Sequence, residues 1–333
     1  MLALLLLILV VILALVFDYV NGFHDTANAI ATSVTTRALS PRSAIILAAS
    51  LNFLGALSGT AVAKTIGSSI IKPGMVDEKV LILALTGAIS WNLFTWFFGI
   101  PSSSSHALIG GLTGASVAMF GFDSVNWPGL GVIVFFLIAS TVVGLMVGAL
   151  VMTILARVFF GASQNRMNMI FRRLQVLSAC MMSFSHGSND AQKSMGIITM
   201  ALLSAGYIST FEVPFWVMLS CAAAMGLGTA AGGWRIIATL GSKIFRIEPI
   251  NGFAADFSSS MVIYTASVLG YPVSTTHVVS SSIIGVGCAK QMTAVRWVTA
   301  RRLVTAWLIT IPSTAFISLI FYKLLELCIG SHI

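Results

Sequence analysis

Two short patterns in this chain carry the residues that could do chemistry, and each pattern occurs twice. Gly22-Phe-His24-Asp25-Thr-Ala-Asn28 recurs as Gly187-Ser-Asn189-Asp190-Ala-Gln-Lys193, a shared G-x-x-D-x-x-[N/K] frame. Pro101-Ser-Ser103-Ser104-Ser105-His106 recurs as Pro272-Val-Ser274-Thr275-Thr276-His277, a P-x-S-[ST]-[ST]-H frame at nearly the same offset. Proline pre-organises the first turn of a helix and has no N–H to satisfy. The hydroxyls behind it, with the free amides of a helix N-terminus, make an anion site. Two such turns facing each other would enclose a small tetrahedral oxyanion. They offer Ser103, Ser104 and Ser105 from one side and Ser274, Thr275 and Thr276 from the other. Asp25 with Asn28, and Asp190 with Lys193, would hold the compensating positive charge. A lone serine-rich turn is more often helix-to-helix glue, and the recurrence argues against that reading.

The elements that must position these residues are membrane helices. Of 333 residues, 57% are hydrophobic and 8% charged, against roughly 25% charged in an average soluble domain. Lipid must cover much of such a surface, and the mean hydropathy of +0.98 agrees. Apolar segments fall at 2–20, 44–63, 80–100, 107–120, 130–158, 174–203, 215–233, 251–270, 278–289 and 303–327. That predicts an all-α polytopic membrane protein of about 10–12 transmembrane segments. Residues 1–17 lack the basic start and small-residue cleavage site of a leader, and read as the first membrane helix. The four cysteines form no CxxC pair and read as small packing residues.

The net charge of +8 sits in short loops. Basic clusters at Arg37 and Arg42, at Arg157 to Arg173, at Arg235 to Arg246 and at Lys290 to Arg302 alternate with loops 121–128 and 204–214, which have no Lys or Arg. The positive-inside rule then places both termini outside. Loop 64–79 contradicts this mildly with three lysines. Membrane orientation accounts for the basic residues, so no nucleic-acid partner is expected.

The duplicated motifs divide the chain into repeats at 1–160 and 174–333, joined by a basic linker at 161–173. The topology count runs the two Asp motifs in opposite directions. Inverted repeats with matched polar interruptions are the mark of a secondary transporter, with broken helices, at the Asp motifs among others, meeting near the midplane. Ionisable groups inside spans cost at least about 2.5–3.5 kcal/mol each, yet Asp18, Asp25, Asp190, Lys193 and Asp256 all lie in or beside apolar segments. Asp18 and the histidines have an alternative as snorkelling or internally hydrogen-bonded groups. His24, Asn189, His106 and His277 are carried as supporting residues. A hydrolase reading of Ser103–Ser105 with His106 does not explain why the set occurs twice, so no enzyme is expected. A channel remains a competitor that only coupled accumulation would exclude.

These motifs, with Trp91-Asn92 and the flanks 29–33 and 196–199, resemble those of the inorganic phosphate transporter (PiT) family over essentially the whole chain, its bacterial low-affinity phosphate symporters in particular. The resemblance implies inverted repeats in a bacterial plasma membrane and symport of inorganic phosphate with sodium, or with protons and often as a metal–phosphate complex. It implies no cofactor beyond the transported ions, and it leaves the metal unidentified. A homodimer is a further expectation. The family motif is commonly G-A-N-D-x-A-N. Here His24 stands where Asn is usual, and Lys193 stands where the first copy has Asn28. Lys193 resembles the proton-coupled bacterial branch, and an ammonium can replace a bound cation beside Asp190. Coupling to protons or another cation is therefore expected, with sodium-coupled phosphate symport and sulfate permeation as the alternatives.

Overall fold

The computed structural model describes residues 1–72, 74–233, 236–237 and 239–329. Arg235, counted above among the basic residues, lies outside the described residues, as does the end of the second repeat at 330–333. Among the described residues the regular structure is helical, save one isolated bridge between Ile71 and Val125. The first half contains α1 (Leu2–Thr35), α2 (Pro41–Ala56), α3 (Ala61–Ser69), α4 (Glu78–Phe98), α5 (Ser104–Phe120) and α6 (Trp127–Val158). The second contains α7 (Gln164–Ser204), α8 (Phe215–Ala231), α9 (Pro249–Val268), α10 (Thr275–Lys290) and α11 (Trp297–Ile329), with a π-helical turn at Thr239–Lys243. Backbone groups in a bilayer must be satisfied within the segment, so apolar runs become helices.

Among the described residues four helices, α1, α4, α6 and α11, are each long and apolar enough to cross a membrane alone. Two expectations need correction. The apolar run at 44–63 is not one helix: α2 and α3 meet at a bend of 68° over Leu57-Ser58-Gly59-Thr60. The Asp motifs are not breaks either. Helix α1 runs unbroken through Asp25, and α7, 41 residues long, runs unbroken through Asp190. A helix satisfies its own backbone whatever its side chains carry, and both carboxylates find partners on neighbouring helices. The linker at 161–173 is likewise mostly helix, because α7 starts at Gln164.

The interruptions fall at the proline motifs. Helix α4 stops at Gly99, whose φ of 64° admits the left-handed turn, and α5 starts behind Pro101 with Ser103 as its cap. Helix α9 is followed by Gly270 at φ 78°, then Pro272, and Ser274 caps α10. The turn glycine, the proline and the cap have identical spacing in both halves. The Ser103 and Ser274 hydroxyls accept from the amides of His106 and His277.

Packing pairs the halves reciprocally. Helix α1 lies on α8 and α7 on α2, while α5 lies on α11 and α10 on α6. The motif glycines permit the first two crossings. A Cβ on Gly22 would meet the backbone of Met225 and Thr229, and one on Gly187 would meet the backbone of Asn52. Outside, large apolar side chains such as Phe94, Phe135, Ile138, Met146 and Leu308 are exposed, the coat a lipid-facing surface needs.

Candidate functional site

Asp25 and Asp190 reach the same place from opposite halves. One oxygen from each and one nitrogen of His186 lie within 4.8 Å of one another, and all three residues are buried. Each acid has its own basic neighbour. His24 Nδ1 is 2.7 Å from Asp25 Oδ1, and the Lys193 ammonium donates to Asp190 Oδ1 from one turn along α7. Lys193 is fully buried, and Asp190 is the carboxylate its side chain meets. His186 Nε2 stands 3.3 Å from Asp190 Oδ2, within ion-pair range but out of line for a hydrogen bond.

The proline turns close over this pair. Ser104 Oγ donates to Asp25 at 3.3 Å, and Thr276 Oγ1, from the other half, reaches Asp25 at 3.3 Å. Thr275 Oγ1 donates to Asp190 at 3.2 Å. Asn28 donates to the Thr276 hydroxyl at 2.9 Å, and its Oδ1 is buried without a hydrogen-bond partner among the described residues. The two turns touch, since Ser105 Oγ donates to the carbonyl of Val273 at 3.0 Å. His24 links acid to turn: its Nε2 is 3.1 Å from Thr95 Oγ1, which is 2.8 Å from Ser102 Oγ.

The expected residues therefore take distinct positions. Ser104, Thr275 and Thr276 face the acids, while the hydroxyls of Ser103 and Ser274 are used as caps and Ser105 joins the turns. The amides of Ser104, Ser105, Thr275 and Thr276 lie in first turns, where no intrahelical acceptor exists. His106 and His277 face each other with ring centroids 4.5 Å apart, and His277 stacks on Trp307 at 4.1 Å. Asn189 donates to Ser267 Oγ near the end of α9. Asp18 does not snorkel. It is fully buried and accepts from Ser194 at 2.7 Å.

Three further residues join the site: His186, which the sequence shows only as a histidine beside the second motif, and Asn21 and Asn52, which sequence reasoning does not single out. Asn21 donates across the halves to Asp190 at 3.3 Å. His186 holds Asn52 of α2 at 3.0 Å, and Asn52 in turn donates to Thr229 of α8. Asn21 and His186 each precede the motif glycine by one position and the motif aspartate by four, which is the available signal. Asn52 shows only as a lone amide in an apolar run.

Oxyanion donors and carboxylates suit phosphate-class anions and hard cations. A lipid-coated bundle that buries paired charges between interrupted helices is the architecture of an integral membrane transporter. The phosphate transporter family matches this chain over residues 21–166 and 160–318, and the chain belongs to that family. It is 49% identical over 327 residues to the "Probable low-affinity inorganic phosphate transporter" of Bacillus subtilis, covering 97% of this chain and 98% of that one. The protein of the same name from Rhizobium meliloti is 48% identical, covering 95% and 96%. A solved structure, "The sodium-dependent phosphate transporter", superposes with a TM-score of 0.86 at 26% identity, covering 97% of this chain and 99% of that one.

Proposed function

We propose that this protein is a secondary transporter that carries inorganic phosphate together with a coupling cation, and that protons are the coupling ion. The observation that carries this reading is the pairing of each buried carboxylate with a basic side chain of its own half, His24 for Asp25 and Lys193 for Asp190. The phosphate sits between the turns at Pro101 and Pro272. There the hydroxyls of Ser104, Thr275 and Thr276 turn from the acids to the anion, and the first-turn amides of α5 and α10 complete the donors. Lys193 is a tethered counter-ion. It keeps Asp190 ionised without a bound cation, because two opposite charges side by side can both persist in a buried site. Asp25 and Asn28 hold the mobile charge. An imidazole beside Asp25 is the side chain best suited to change charge near neutral pH.

The reciprocal helix pairing and the matched Gly-x-Pro-x-Ser interruptions support two inverted repeats, 1–160 and 174–333, and the alternation of basic loops supports both termini outside the plasma membrane. A second reading, sodium coupling, is favoured by the likeness to a transporter named as sodium-dependent and by the unpartnered Asn28 Oδ1, an oxygen suited to a hard cation.

The test is radiolabelled phosphate uptake into proteoliposomes. Accumulation above the external concentration, competed by sulfate only weakly, is the expected result. Equilibration without accumulation would make the protein a channel, and preference for sulfate would overturn the substrate.

A further inference from the structure

Away from the acids, where α1 ends, four arginines from four separate segments line one cavity of about 580 Å³. Arg37 follows α1, Arg172 lies in the third turn of α7, Arg246 precedes α9 and Arg296 precedes α11. Among the described residues no carboxylate lies within ion-pair distance of any of the four guanidiniums. Glu248 is the one carboxylate lining the cavity, and it is held by Lys290 at 2.7 Å. Membrane orientation alone calls for arginines at helix ends. It does not call for their convergence on a single concavity. Nor does it call for Arg37 to take a left-handed backbone at φ 59°, the one positive φ among the described non-glycine residues.

The cavity is tied to the central acids by a polar seam along one face of α1. Asn28 bonds Thr276, Thr32 donates to both oxygens of Asp256, and Thr36 donates to Gln175 at 2.6 Å. Each step is one helical turn, and every partner belongs to the second half. Thr36 itself lines the cavity. At 1.5 Å per residue it stands about 16 Å along the axis from Asp25, too far for both to touch one anion.

We propose that this cavity is a second binding site, for a phosphate-class oxyanion, outside the central acids. Guanidinium forks match the oxygens of phosphate. Unpaired positive charge in a concave site raises the local concentration of anions and steers them inward. The ligand is free phosphate on its way to or from the centre, or the headgroup of an anionic lipid. The role as a vestibule rests on the transport reading above, whereas the binding itself does not.

The experiment uses the purified full chain in nanodiscs and follows modification of each arginine by a dicarbonyl reagent, read by mass spectrometry. In phosphatidylcholine discs, inorganic phosphate should slow modification of Arg37, Arg172, Arg246 and Arg296 several-fold against chloride at equal ionic strength. Arg157 and Arg302, which are exposed like the cavity arginines but do not line the cavity, should be unaffected. Protection by phosphate identifies the free anion. Protection that appears only with anionic phospholipid in the disc identifies the headgroup. Equal rates at all arginines under both conditions would overturn the proposal. Because the readout is protection and not transport, failure here leaves the central site standing, and failure of phosphate uptake leaves this result readable.

Discussion

The two halves solve one problem with different side chains. Each brings a buried aspartate to the centre on an unbroken helix, and each closes a proline turn over it. In the second half Asp190 is matched by an ammonium that is itself fully buried and permanently attached. In the first half Asp25 is matched by the imidazole of His24 and by the hydroxyls of Ser104 and Thr276. The contrast teaches a division of labour. The half with Lys193 holds a fixed ion pair, and on the proposal above the half with His24 and Asn28 carries the mobile charge.

The largest effect should come from breaking the fixed pair. Lys193→Met leaves Asp190 buried without its cation, a change that costs about 3–5 kcal/mol when one partner of a buried pair is removed. Uptake should be abolished, and the melting temperature in detergent should fall. Adding Asp190→Asn should restore much of the melting temperature without restoring uptake. A single variant as stable and active as the parent would show that the pair is not what holds the second half.

The turns come next. Ser104→Ala with Thr275→Ala removes one hydroxyl facing each acid. Hydrogen bonds to charged partners are worth about 1.5–3 kcal/mol each, so phosphate affinity, measured by equilibrium binding, should fall at least about tenfold. Unchanged affinity would move the anion elsewhere.

The mildest change sharpens the comparison most. His24→Asn installs the residue usual in the family motif. Transport should persist at a rate within several-fold of the parent, but the response of initial uptake rate to external pH should flatten. A pH profile unchanged in shape would assign His24 to structure, through its bond to Thr95.

Much of this arrangement is legible in the sequence because its components are local. Ten apolar runs give the order of the helices, and the prolines of the two P-x-S-[ST]-[ST]-H motifs, Pro101 and Pro272, mark the interruptions. Asp25 and Asp190 stand out because a charge in an apolar run needs a partner. What stays hidden depends on contacts between distant residues. The bend between α2 and α3 is fixed from α7, where Gln192 Oε1 accepts from the amides of Val62 and Ala63. Within 44–63 the one local hint is Ser58-Gly59, a turn-marking pair, and it does not report the contact with α7. Asn52, His186 and Thr229 form a link through three helices, and each alone resembles an ordinary buried polar residue. The continuity of α1 and α7 escapes a sequence reading for a related reason. The sequence shows the charge but not the neighbours that let a regular helix carry it.

The most direct test of the division of labour is the initial rate of phosphate uptake into proteoliposomes, with the sodium gradient and the pH gradient imposed separately. Accumulation driven by an inward proton gradient in sodium-free medium, with little added by sodium, is the expected result. Replacing Lys193 with Asn, as in the first copy of the motif, should make the rate sodium-sensitive. Steep sodium activation of the unmodified protein, with no response to the pH gradient, would contradict the account and reduce Lys193 to a structural residue.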